Sequence, residues 1–75
     1  MTFKTLFPKL KRLGFVTMPS REEIIALRHP EGAVLLINKL PLETEVGRSL
    51  RIHIETLMAV YGIGNGKPLW PRENH

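Results

Sequence analysis

The stretch "IIALRHPEGAVLLI", residues 24–37, constrains the fold of this chain more than any other. Two short apolar runs flank a proline–acid–glycine turn, the pattern of a β-hairpin. Pro30 cannot donate to a strand ladder, and Gly32 accepts the positive φ that the loop calls for. The strands expected here are residues 22–29 and 33–37. "FVTM" at 15–18 reads as a shorter first strand, with Pro19 punctuating the turn that follows it.

Helices flank the strands. "TLFPKLKRL", residues 5–13, places Leu6, Leu10 and Leu13 on one face, with Lys9, Lys11 and Arg12 elsewhere. Thr5 as N-cap puts Pro8 in the first turn, where its missing donor costs little; a start at Thr2 would bury Pro8 in the helix interior and is disfavoured. Gly14 is the expected stop. From Arg48 to Tyr61, Leu50, Ile54, Leu57, Met58 and Tyr61 recur at helical spacing, with Thr44 or Ser49 as rival N-caps and Gly62 as the end. The expected fold is α+β: helix, three-stranded antiparallel sheet, helix (α-β-β-β-α), with both helices on one sheet face.

Length and composition narrow the function. The 75 residues make one domain, and a chain of this size buries only about 60% of its unfolded surface, which disfavours a deep catalytic cleft. Residues 1–63 form the expected domain; residues 64–75 are a Gly/Pro-rich tail, expected to be loosely held unless Trp70 docks. With no cysteine, disulfides and thiolate metal sites are excluded. His29, His53 and His75 lack the paired spacing of a zinc site, so no metal is expected. "GIGNG" at 62–66 follows a helix instead of a strand, so no dinucleotide loop and no cofactor is expected. No apolar run is long enough for a membrane span and no signal segment is visible, so a cytoplasmic protein is the default expectation.

Charge is uneven. The net charge is +4, and Lys4, Lys9, Lys11, Arg12, Arg21 and Arg28 face only Glu22 and Glu23 in the first 28 residues. Such a bias suits a phosphate-bearing partner, although a solvated lysine-rich helix face would read the same way. The strands carry a second signal. "IIAL" and "AVLLI" are apolar at successive positions, so both sheet faces are apolar while the helices can cover only one. Ile24, Ala26, Leu35, Ile37 and Trp70 are the expected partner-binding residues, and a protein partner or self-association is expected.

The residues "LKRLGFV" at 10–16 and "RHPEG" at 28–32, followed by an apolar strand and a helix, resemble the HicA family. These are small ribonuclease toxins with a double-stranded-RNA-binding-like (dsRBD-like) fold, paired with HicB antitoxins. The resemblance spans residues 6–63 and implies RNA as a ligand, a toxin–antitoxin setting, and a Gly-Ser-His or Gly-Gly-His triplet on the second strand. Counted back from His29-Pro30-Glu31-Gly32, that triplet falls on Glu22, Glu23 and Ile24. Ile24 thus stands where the family has its catalytic histidine, and an aliphatic side chain cannot act as a general base. Gly47-Arg48-Ser49-Leu50 also departs from the family's Gly-Thr-aliphatic start to the last helix.

His29 matches the family's turn histidine and is only a weak catalytic candidate; Ser20 and Ser49 have no histidine at a diagnostic spacing. Three functions compete. The first is a non-catalytic HicA-like domain binding RNA through Lys9, Lys11, Arg12, Arg21 and Arg28, a protein partner, or both. The second is a structural or regulatory subunit that binds a protein assembly and no nucleic acid. The third is a ribonuclease whose base has moved to His29 or His53.

Overall fold

The computed structural model describes residues 1–64 together with 69 and 70. Its elements are α1 (Phe3–Arg12), β1 (Val16–Met18), β2 (Ile24–Arg28), β3 (Val34–Asn38) and α2 (Arg48–Tyr61), the α-β-β-β-α order expected. The strands form one antiparallel sheet in the order β1-β2-β3.

The first helix starts earlier than its proline suggests. Thr2, not Thr5, is the N-cap, and Pro8 lies inside the helix. The reason lies forty residues downstream. The N–H groups of Phe3 and Lys4 donate to the carbonyls of Thr44 (3.1 Å) and Leu42 (2.9 Å), so a loop supplies the acceptors that a cap side chain otherwise provides. Phe3 is buried and stacks on Phe7 at 5.9 Å. Burying that ring contributes about 1.5–3 kcal/mol, comparable with the roughly 3 kcal/mol that an interior proline costs. Two further backbone hydrogen bonds tip the balance.

Both helices end in the same device. The Gly14 N–H donates to Lys11 and the Phe15 N–H to Leu10; the Gly62 N–H donates to Ala59 and the Ile63 N–H to Met58. Each is a Schellman motif with its apolar contact, because Leu10, Phe15, Met58 and Ile63 are all buried. Gly14 (φ 107°) and Gly62 (φ 65°) occupy the left-handed position where a side chain is disfavoured.

At the other end of α2, neither Thr44 nor Ser49 is the cap. Gly47 is, with no side-chain bond. Thr44 is held by the loop: its N–H donates to Pro41 and its carbonyl accepts from Phe3, while the Val46 N–H donates to the Met1 carbonyl. The connection is stitched to the start of α1 before the second helix can begin.

In the hairpin, the His29 N–H donates to Ala33 and the Gly32 N–H to His29, a three-residue loop with Gly32 in the bulge position. Opposed residues share a face. Ile25↔Ile37 and Leu27↔Leu35 point inward, where Leu27, Leu35 and Ile37 join Leu6, Leu10, Phe15, Ile54 and Met58 in one core. Both helices therefore cover the same face. No helix among the described residues is long and apolar enough to cross a membrane.

Candidate functional site

The other face of the sheet has no covering element among the described residues. The register places Val16, Met18, Ile24, Ala26, Val34 and Leu36 on it, with Arg28 and Asn38 at its ends. Val16 is 57% exposed, Val34 49% and Leu36 61%, while Met18 and Ile24 are half-buried and Ala26 is buried between its neighbours. Six adjacent apolar side chains on a pleated surface form a patch, unlike the scattered apolar residues of an ordinary surface.

This face corrects part of the expected partner-binding set. Ile24 and Ala26 lie on it, but Leu35 and Ile37 do not: they are 0% and 2% exposed and pack against the helices. In the all-apolar run at 33–37, composition does not reveal which alternate set points inward. Packing chose 35 and 37, leaving Val34 and Leu36 outside. Trp70 is likewise no free anchor. It is 6% exposed and belongs to the core, with the Arg51 guanidinium 5.6 Å from its ring centroid. The rest of the expected loose tail, 65–68 and 71–75, lies outside the described residues.

The five basic residues singled out from the sequence are spread over α1, the β1–β2 connection and β2. Arg28 stands on the open face, Arg21 in the β1–β2 connection, and Lys11 and Arg12 are exposed on the last turn of α1. Lys9 lines a shallow groove on the helix side with Arg48, Arg51, Glu45, Glu55 and Trp70. Both acids there are already engaged, Glu45 by the Met1 ammonium at 2.9 Å and Glu55 by Arg51 at 3.0 Å. Arg48 and Arg51 were not legible as site residues, because only the fold carries the start of α2 to the side of Lys9.

His29 is 8% exposed, and the backbone uses both of its ring nitrogens. Nε2 lies 2.7 Å from the Leu13 carbonyl, and Nδ1 accepts the Glu31 N–H at 3.0 Å. The first contact requires a proton on Nε2 and the second a lone pair on Nδ1, which describes the neutral ring. Its edge packs on Phe15 at 5.1 Å. Neither nitrogen is free to take a proton from a substrate in this arrangement. His53 is exposed on α2. Ile24 sits on the open sheet face, and Ser20 donates its hydroxyl to the Ile24 carbonyl, closing the turn before β2.

Comparison of the chain with protein-family models, with curated proteins and with solved structures finds no match.

Proposed function

We propose that this chain is a non-catalytic, HicA-like binding domain whose task is to meet a protein partner through the open face of its sheet. The observation that carries the reading is the uncovered cluster Val16, Met18, Ile24, Ala26, Val34 and Leu36, on a molecule whose other sheet face is already packed. The family likeness is supported by the element order and by one contact. The two short motifs that carry it, Leu13-Gly14-Phe15 and His29-Pro30-Glu31-Gly32, are joined through the His29 ring. The non-catalytic part of the reading is supported by Ile24 at the position of the family's histidine and by the two occupied nitrogens of His29.

Site-specific photo-cross-linking in cells tests the proposal. A cross-linker at Val16 or Leu36 should give discrete adducts with protein, and one at the exposed Thr56 of α2 should not. Equal labelling from all three positions, or none, would sink it.

A second reading, RNA binding, is favoured by the groove in which Lys9, Arg48 and Arg51 converge. Anisotropy of labelled RNA at low and moderate salt addresses it, since a handful of phosphate contacts weakens steeply over about 50 to 200 mM salt. Replacing Lys9 and Arg48 by Glu should abolish that binding and leave the cross-links from Leu36 unchanged.

A further inference from the structure

We infer that a second copy of this chain adds to the free edge of β3, so that two three-stranded sheets become one of six strands. The inference goes beyond the reading above: self-pairing uses the edge of the sheet and joins two open faces into one surface for the protein partner.

The ladder between β2 and β3 shows which backbone groups are spent. The His29 N–H donates to Ala33 and the Lys39 N–H to Glu23, so positions 33, 35, 37 and 39 turn their polar groups toward β2. Val34, Leu36 and Asn38 therefore turn theirs outward. None of these three has a backbone or side-chain hydrogen-bond partner among the described residues. They offer three donors and three acceptors in strand register, along a strand free of proline and charge. Natural sheets usually blunt such an edge.

The opposite edge is blunted. On β1, the Phe15 N–H is already donated to Leu10, Pro19 has none, and only Thr17 presents an outward pair. One edge is closed and the other open, which favours a closed dimer over an open-ended fibre.

The open edge is also complementary to itself. Antiparallel pairing about Leu36 sets Leu36 against Leu36 and Val34 against Asn38, so no charge meets its like on the two-fold axis. The apolar open faces then run on side by side as one larger surface.

Sedimentation equilibrium of the full-length chain, together with amide hydrogen exchange, tests the pairing. Strand addition without a large interface is weak, so mass is followed from about 10 μM to about 1 mM protein. The expected result is a monomer–dimer equilibrium in which protection of the Val34, Leu36 and Asn38 amides rises with concentration and that of Thr17 does not. Leu36→Lys places two ammonium groups on the axis at an exposed position and should weaken dimerisation by about tenfold or more. Val16→Lys, on the same face but at the far strand, should leave it unchanged. Equal loss in both variants would mean face-to-face packing and overturn edge pairing. A strict monomer would also overturn it; cross-links from Leu36 to a different protein would then show that the protein-partner reading survives without self-pairing.

Discussion

At the scale of single residues, the fold turns on a contact between Gly14 and His29. A Cβ built on Gly14 would lie 2.9 Å from Nε2 of His29, and the residue has φ 107°. Gly14→Ala therefore meets strain and collision together. It should cost about 2 kcal/mol or more, beyond the roughly 1–2 kcal/mol of an ordinary left-handed alanine; thermal unfolding followed by circular dichroism measures it. His29→Ala removes two hydrogen bonds and leaves the Leu13 carbonyl without the ring that covers it. A loss of about 2–4 kcal/mol is expected from the unsatisfied groups and the cavity. Denaturant unfolding checks that figure. An RNA gel run beside it checks the reading of the ring as a tie between helix and hairpin, because wild-type cleavage that is lost in His29→Ala protein still folded by circular dichroism would show that it is a base instead.

At the scale of elements, α1 carries the sharpest conflict between local and tertiary preference. Pro8 is exposed, so its ring adds little packing, and it denies the Lys4 carbonyl its helical donor. Pro8→Ala should restore that bond and stabilise the protein by about 1–3 kcal/mol, read as a raised unfolding midpoint. No change would mean that the Lys4 carbonyl is satisfied by solvent. The early start of α1 was not visible in the residues around it, because the acceptors that permit it, Leu42 and Thr44, belong to a loop forty positions away. The α2 boundaries were visible. Its apolar spacing and Gly62 are local signals, and only its cap was misplaced, since Thr44 had been drawn into that same loop.

At the scale of the whole molecule, the sheet separates a packed face from an open one, and neighbouring leucines report on each. Leu35→Ala should cost about 2–5 kcal/mol through the cavity it leaves in the core. Leu36→Ala, 61% exposed, should change monomer stability by no more than about 0.5 kcal/mol. If the two variants unfold alike, the assignment of faces is wrong. The sequence by itself determined the order of the elements, the hairpin, the helix stops and the excess of apolar residues over what two helices can cover. All of these follow from spacing and turn chemistry within a few neighbours. Only the tertiary structure decided which alternate set of an all-apolar run points inward, where Trp70 goes, which cations converge, and which sheet edge stays open. Those outcomes depend on contacts between residues far apart in the chain, and hydrophobicity carries no direction until a packing partner supplies one.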